Sequence, residues 1–308
     1  MPDLKRSGRG IVTMAFGKQP YIEMAKWLAM SIKLNAPDLE SAVLTDSTDP
    51  ELAELYTHVI PHEPYMGSQM EPKFHLDRFT PFEESFYIDT DCLVLNNLEA
   101  MWAAFQGQYF GIPGWRYLTA SDVDQAVDVP FVLDRYQLTS LPKFNGGCYY
   151  FRSGEETTRF FDTARDLFTR AAELRIGFFR DGGFSDEPLF ALALALHGLK
   201  LTSLGVRGPW TPLQSRGAIH LDVFAQECSF LKEGITVYPD LVHFPGGYRE
   251  CYAYHREVWK LQRHFGRPTP PLIARSSTQA TGILWSARRG TRNYAKAILR
   301  PRERRMAI

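Results

Sequence analysis

Apolar and polar positions along this chain follow two periods. Ile11-Val-Thr-Met-Ala-Phe16 is a continuous apolar run of strand length. After the turn Gly17-Lys-Gln-Pro20, the stretch Tyr21 to Leu34 places Met24, Trp27, Leu28 and Ile32 on one side at helical spacing. Ser41 to Thr45 reads as a second strand ending at Asp46, Pro50 to Tyr56 as a short helix, and Thr57 to Ile60 as a third strand. Lys73 to Phe79 reads as helical. It precedes Ser85-Phe-Tyr-Ile88, which is apolar enough to be buried on both faces, as parallel strands are. Strands alternating with helices predict an α/β sheet.

Beyond Asp91 come the apolar Leu93 to Leu95, a predicted helix from Leu98 to Phe105 and a strand from Tyr109 to Ile112. Residues 113–143 mix Gly, Pro, Asp and aromatics and read as a surface excursion near a ligand. Gly147 to Phe151 reads as a strand, Glu155 to Leu174 as an amphipathic helix, Glu187 to His197 as a buried helix, Leu231 to Pro245 as strand-rich and Tyr252 to Phe265 as helical. The break Gly266-Arg-Pro-Thr-Pro-Pro271 divides the chain into a body, residues 1–270, and a tail, residues 271–308.

A chain of 308 residues that is 44% hydrophobic and 13% aromatic can bury a core, which excludes a disordered or fibrous class. Its longest apolar stretch, Leu189 to Leu196, is far short of the roughly 20 residues that cross a bilayer. The N-terminal region lacks a secretory pattern, so the expected location is cytoplasmic. Four cysteines without C-x-x-C spacing read as buried thiols. The balance of 35 basic and 35 acidic residues hides an asymmetry: from Arg275 onward nine basic residues meet one acid, so that segment carries +8 and the rest −8. An acidic body argues against a nucleic-acid-binding face. In the tail, Leu284, Ala287, Thr291, Tyr294 and Ile298 fall at helical spacing, as in a basic amphipathic helix on an anionic membrane; a disordered tail is the alternative.

The most informative segment is Phe86-Tyr-Ile-Asp89-Thr90-Asp91-Cys-Leu-Val-Leu95. Two carboxylates emerge where an apolar strand stops. Residues two apart on a strand point the same way, so both are expected to face the crevice at the carboxyl edge of the sheet. Like charges this close repel unless a cation or a shared proton intervenes. A hard divalent ion, Mn2+ or Mg2+, answers that repulsion, taking one or two carboxylates and filling its other positions with phosphate and water. The bland reading is a turn capped by two acids.

Taken in order, five segments resemble the landmarks of the glycogenin-like family of nucleotide-sugar glycosyltransferases, which includes bacterial lipopolysaccharide galactosyl- and glucosyltransferases. They are Lys73-Phe-His-Leu-Asp-Arg-Phe-Thr-Pro-Phe82, Asp89-Thr-Asp91, Asn145-Gly-Gly147, Ser185-Asp-Glu187 and His243-Phe-Pro-Gly-Gly-Tyr-Arg249. The resemblance implies a GT-A fold, a mixed α/β sheet flanked by helices, in which Asp89 and Asp91 hold a divalent ion on the donor's two phosphates. It also implies transfer of a hexose from a nucleoside diphosphate sugar, UDP-hexose first among them, to a carbohydrate or lipid-linked sugar, with retention at the anomeric carbon.

The segment His243-x-x-Gly246-x-x-Arg249 is similar to the family's H-x-x-G-x-x-K, with Arg in place of Lys. It implies His243 as a third metal ligand, with Gly246 and Arg249 at the phosphates. Imidazole adds a ligand without adding negative charge, and Arg pairs with phosphate through a planar fork rather than an ammonium point. By the same resemblance Asn145, Asp186 and Glu187 form the catalytic, sugar-contacting set, with Glu187 where the family has glutamine. Thr13 and Tyr21 fall where this fold holds base and ribose, and Lys73 reaches the donor phosphates. Each has a structural alternative: a buried histidine beside a turn, an ordinary Gly-Gly turn, a helix cap at Ser185 to Glu187, a tyrosine packed at a helix start and a solvated lysine.

An inverting enzyme would instead need a carboxylate base, for which Asp186, Glu187 and Asp122 are the candidates. Two rivals remain. A haloacid-dehalogenase-type phosphatase also uses D-x-D after an apolar strand, but near the N-terminus and with Thr or Val where this chain has Leu93. A catalytically silent nucleotide-sugar or carbohydrate-binding module would bind without turnover. A nucleotidylyltransferase would need a glycine-rich loop that Ala15-Phe-Gly-Lys18 does not supply.

Overall fold

The computed structural model describes residues 6–178 and 183–270. The tail at 271–308, with its amphipathic-helix and membrane readings, lies outside the described residues.

The chain opens with β1 (Arg9–Ala15), α1 (Gln19–Asn35), β2 (Glu40–Thr45), α2 (Pro50–Leu55) and β3 (His58–Pro61). Ile11, Val12, Ala42, Val43 and Leu44 are wholly buried, as expected for strands covered on both faces. Pro20 sits in the first turn of α1, where its missing N–H leaves nothing unpaired. The Asp49 carboxylate caps α2 by accepting from the Glu51 N–H. Next come α3 (Leu76–Phe79), β4 (Glu84–Ile88), β5 (Cys92–Val94), α4 (Glu99–Phe105), β6 (Phe110–Gly111), β7 (Arg116–Leu118), α5 (Val129–Arg135) and β8 (Leu141–Lys143). The remainder is β9 (Cys148–Arg152), α6 (Glu155–Thr169), α7 (Asp186–Leu196), β10 (Pro209–Trp210), β11 (Arg216–Asp222), β12 (Glu227–Lys232), β13 (Ile235–Val237), β14 (Leu241–His243) and α8 (Tyr252–His264).

A six-stranded sheet in the order β3-β2-β1-β4-β9-β6 forms the centre. Strands β1 to β4 are parallel, β9 is antiparallel to β4, and β6 is antiparallel to β9, so β6 runs in the direction of β4. This is the mixed sheet that the resemblance implies. One face is covered by α6 and α7, with a ladder of rings in which Phe110 stacks on Phe160 at 3.7 Å and Phe74 on Phe190 at 4.7 Å. On the other face α1 and α8 pack with the β11-β12-β13 sheet.

Strand β5 leaves the central sheet and joins a second one in the order β10-β14-β5, with Cys92 opposite His243. The acidic tripeptide therefore bridges two sheets. Strand β4 ends at Ile88, and the Cys92 N–H closes a turn by donating to the Asp89 carbonyl at 3.1 Å. Strand alternation, the expected reason for both carboxylates to face one way, is thus replaced by turn geometry.

Residues 113–143 also depart from the expected surface excursion. They form the β7–β8 hairpin and α5, and they contribute Leu118, Val127, Val129, Val132, Leu133 and Leu141 to the main core. Their elements are too short to show a period, and α5 is set by the Asp128 cap and Pro130. Strand β11 escaped prediction because its side chains are mostly exposed and carry no apolar alternation. Among the described residues no helix is long and apolar enough to cross a membrane. All four cysteines are buried and none forms a disulfide.

Candidate active site

Three backbone hydrogen bonds draw together segments that lie far apart in sequence. The Asp89 N–H donates to the Gly147 carbonyl at 3.0 Å, extending the β4–β9 ladder, and the Phe244 N–H donates to the Asp91 carbonyl at 2.9 Å. The Leu95 N–H donates to the Asp240 carbonyl at 2.8 Å and fixes the exit of β5. The Asp89–Asp91 turn is thereby pinned on one side to Asn145-Gly-Gly147 and on the other to the end of β14.

At this junction His243 Nε2 stands 2.9 Å from Asp91 Oδ1 and 3.7 Å from Asp89 Oδ2. Its other ring nitrogen, Nδ1, donates to Asn145 Oδ1 in a short hydrogen bond, and that oxygen also accepts from the Gly147 N–H at 3.3 Å. Burial opposes a charged ring, but the carboxylates of Asp91 and Asp89 outweigh it and raise the His243 pKa above its ordinary value.

The two glycines of Asn145-Gly-Gly147 are required by the protein itself rather than by a ligand alone. A Cβ on Gly147 would stand 2.3 Å from His243 Nδ1, and one on Gly146 would stand 2.8 Å from the Tyr149 hydroxyl and 3.2 Å from Asp186 Oδ2. Gly246 differs: its φ of +57° lies in the left-handed region and nothing crowds it, so backbone conformation accounts for glycine there.

Lys73 is buried and neither solvated nor free to reach a donor. Its ammonium lies 3.0 Å from Asp89 Oδ1, 2.9 Å from Asp186 Oδ2 and 3.2 Å from the Gly146 carbonyl, over the rings of Tyr87 and Tyr149. Burial would depress its pKa; Asp186 and Asp89 reverse that and raise it, so Lys73 stays charged. The Tyr87 hydroxyl donates to Asp89 Oδ1 and the Tyr149 hydroxyl to Asp186 Oδ2 at 2.8 Å, while burial pushes both phenol pKa values well up.

Asp186 and Glu187 do not merely cap α7. The Ser185 side chain makes no cap bond, and both acids turn into the site. Glu187 accepts from the Gly146 N–H at 2.8 Å and lies 3.6 Å from the Lys143 ammonium, and burial raises its pKa. Lys143 is held in turn by Asp124 at 2.8 Å.

Asp89, Asp91, His243, Asn145, Asp186, Glu187 and Lys73 thus form one cluster. Arg249 is partly exposed and 3.8 Å from Glu250. Thr13 is wholly buried within β1, its hydroxyl unpaired among the described residues. Tyr21 is partly buried in the first turn of α1. Sequence reading passed over Tyr87, Tyr149 and Lys143. Period two from Asp89 and Gly147 would have placed both tyrosines on the site face, whereas Lys143 carried no signal.

The donor set suits a hard divalent ion. Asp89 Oδ1 is taken by Lys73 and Tyr87, which leaves Asp89 Oδ2, Asp91 and His243 Nε2 converging. Ligands at about 2.1 Å from an octahedral ion stand about 3 Å from one another; Asp91 Oδ1 and His243 Nε2 have that spacing at 2.9 Å, while Asp89 Oδ2, 3.7 Å from His243, would have to draw in. Two carboxylates, Asp89 and Asp186, share the single Lys73 ammonium, and Asp91 adds a further acid beside His243. The Cys92 thiol also lies within 4.8 Å of Asp91 and His243; sulfur is softer than Mg2+ or Mn2+ prefers, which leaves the oxygens and the imidazole as the better ligands for a hard ion.

A scan with protein-family models and a search of curated proteins give no match. Solved structures do resemble this one. LgtC, a galactosyltransferase solved with donor and acceptor sugar analogs, is 14% identical and matches 87% of this chain and 99% of its own at a TM-score of 0.52. An active-site Gln-to-Glu mutant of LgtC, also 14% identical, matches 86% and 99% at 0.53. WbbM, a bifunctional glycosyltransferase, is 9% identical and matches 87% of this chain and 53% of its own at 0.50. GlyE, a glycosyltransferase of Streptococcus pneumoniae TIGR4, is 15% identical and matches 64% of this chain at 0.42; the match spans 46% of GlyE, under half its length. With its mixed sheet, the order of its elements and this likeness over nearly the whole of LgtC, the chain has the GT-A glycosyltransferase fold.

Proposed function

We propose that this protein is a metal-dependent glycosyltransferase that moves a hexose from a nucleoside diphosphate sugar, with UDP-hexose as the first candidate donor, to a carbohydrate or lipid-linked sugar. One observation carries the reading: Asp89 Oδ2, Asp91 and His243 Nε2 converge at the carboxyl edge of a GT-A sheet, beside a Gly-Gly turn and a second acidic pair.

In the reaction the bond from the anomeric carbon to the phosphate oxygen breaks and the diphosphate leaves with the electron pair. The acceptor oxygen then bonds to that carbon, and its proton passes to the departing phosphate. A divalent ion held by Asp89, Asp91 and His243 would supply Lewis-acid stabilisation of the leaving group. The chain's own residues prepare the rest. Asn145 fixes the His243 tautomer by accepting from Nδ1, which leaves Nε2 directed at the carboxylates. Its carbonyl is therefore occupied, and only its amide N–H groups remain for sugar hydroxyls, a narrower part than the sequence implies. Lys73 holds Asp89 and Asp186 in place and balances their charge. Asp186, turned into the site beside Lys73, would stand near the point where positive charge grows at the anomeric carbon.

Retention is favoured by what the candidate bases are doing. Asp186 is bound by Lys73 and Tyr149, Glu187 by the Gly146 N–H and Lys143, and Asp122 accepts from the Thr119 N–H and hydroxyl at 2.8 and 2.9 Å. An inverting base would need one of them released. A screen of nucleotide sugars for Mn2+-dependent release of nucleoside diphosphate tests the proposal. Release from one donor, lost in Asp91→Asn, is expected. Binding of a nucleotide sugar with no release under any metal would favour the silent binding module.

A further inference from the structure

A buried cysteine is usually a small apolar filler, and the burial of all four here fits that role. Cys92 differs in its neighbours. It stands directly opposite His243 in the antiparallel β5–β14 pair and follows Asp91 in the chain. Opposed residues of such a pair put their side chains on one face, with Cβ atoms about 4.5–5.5 Å apart. A carboxylate oxygen of Asp91, the Cys92 sulfur and a ring nitrogen of His243 all lie within 4.8 Å of one another, the one such group of three among the described residues.

Asp89 stands outside this trio, with one oxygen on Lys73 and the other 3.7 Å from His243. The junction therefore offers two overlapping donor sets that share Asp91 and His243. The set completed by Asp89 is all oxygen and nitrogen and suits a hard octahedral ion. The set completed by Cys92 mixes oxygen, nitrogen and sulfur, as Zn2+ takes them in tetrahedral geometry. Ligands at about 2.0–2.3 Å from a tetrahedral Zn2+ stand about 3.3–3.6 Å from one another, so closing the trio needs about 1.5 Å of side-chain adjustment at most. The thiol gives up little, since its hydrogen bond to the Gly147 carbonyl is long, at 3.9 Å. Cys92 is wholly buried and Asp91 partly exposed, so an ion enters past the carboxylate.

We infer that Asp91, Cys92 and His243 form a site for a thiophilic ion, Zn2+ first, which competes with the hard ion for this centre and blocks it. The block rests on the proposed Mn2+ or Mg2+ centre; the trio does not. On binding, the Cys92 S–H bond breaks, its proton passes to solvent, and the sulfur electron pair bonds to the metal. Zn2+ binds a given set of nitrogen, oxygen and sulfur donors more tightly than Mn2+, and thiolate widens that gap. Coordination number explains the block. An octahedral ion held by three protein ligands keeps three positions, enough for two diphosphate oxygens and a water. A tetrahedral ion held by three keeps one, too few to chelate the diphosphate.

Cadmium absorption on the full chain, stripped of metal and without UDP, tests the site. Cd2+ is a softer analogue of Zn2+, and its bond to thiolate gives an ultraviolet charge-transfer band that oxygen and nitrogen ligands do not. Titration should raise that band to a plateau at one Cd2+ per chain, and Zn2+ should erase it. Cys92→Ser should abolish the band, whereas Cys148→Ser, in the same core cluster, should keep it. With UDP present, Zn2+ should displace bound Mn2+ and restore the paramagnetic resonance of the free ion. Cys92→Ser should need at least about tenfold more Zn2+ for the same displacement. Should Cys92→Ser fail to fold, Cys92→Val, which fills the same space without a donor atom, carries the test. A wild-type chain that binds Mn2+ but shows no band, or a band that survives the loss of Cys92, would overturn the site and leave the hard-ion centre standing. A Cys92-dependent band in a chain that never binds Mn2+ would keep the thiol site and end the hard-ion reading.

Discussion

Lys26 and Lys73 are both buried ammonium groups ringed by carboxylates, and both have pKa values raised against the pull of burial. Lys26 joins α1 to α2 through Glu23 at 3.0 Å, Asp49 at 2.6 Å and Glu51 at 3.1 Å. Two of those acids give their other oxygen to the protein, Asp49 to the Glu51 N–H and Glu51 to Arg267, and Glu23 shares its Lys26-bound oxygen with Gln19 at the surface. The Lys73 cluster is not closed in this way. Asp89 commits one oxygen to Lys73 and directs the other at His243, beside Asp91. A perturbed lysine therefore does not by itself mark a site. What its carboxylates do with their spare lone pairs separates scaffold from chemistry.

The contrast is broken most severely by removing the inner cation. Lys73→Met leaves buried Asp186 and half-buried Asp89 with their tyrosine hydrogen bonds but without their counter-charge and should cost about 3–5 kcal/mol in denaturant unfolding, together with nucleoside diphosphate release. Adding Asp186→Asn should restore part of the stability and none of the activity. Next in size is Asn145→Ala, which frees the His243 ring. Metal affinity should fall about 10- to 100-fold, read as a shift in the Mn2+ concentration for half-maximal activity, with melting temperature nearly constant.

Lys26→Met should cost about 1 kcal/mol or less, because water reaches its carboxylates and screens them, and activity should not change. Acid sharpens that comparison. The Asp49 carboxyl is held below its ordinary 3.8 chiefly by the hydrogen bond from Lys26. Its stabilisation is present above that value and is lost as pH falls through the lower folded-state value, so wild type and Lys26→Met should converge in unfolding experiments below about pH 4. The smallest effect belongs to Glu187→Gln. Glutamine can still accept from the Gly146 N–H, so the steady-state rate should stay within about threefold of wild type.

Much of the fold was legible because the N-terminal strands are buried on both faces and read as unbroken apolar runs. The β7–β8 hairpin and β11 were not, since short or exposed elements leave no hydrophobic period. In the site, the acidic tripeptide, Asn145 and His243 were visible as motifs, but the reason they meet was not. Asp89 and Asp91 converge through a turn between two sheets, and Gly147 is small because His243 occupies the space its side chain would take. Lys73 was legible as a residue and illegible as an internal counter-ion, because its partner Asp186 lies more than a hundred positions away. Thr13, on a strand covered on both faces, has its side chain enclosed by the sheet.

The central claim is that Asp89, Asp91 and His243 hold one divalent ion for a nucleoside diphosphate. Electron paramagnetic resonance of free Mn2+ tests it most directly, because the six-line signal of the aquated ion fades on binding. With UDP present, wild-type protein should deplete that signal toward one ion per chain, and Asp91→Asn and His243→Ala should leave it standing while remaining folded by circular dichroism. Equal depletion by all three proteins, or UDP binding indifferent to Mn2+, would contradict the assignment.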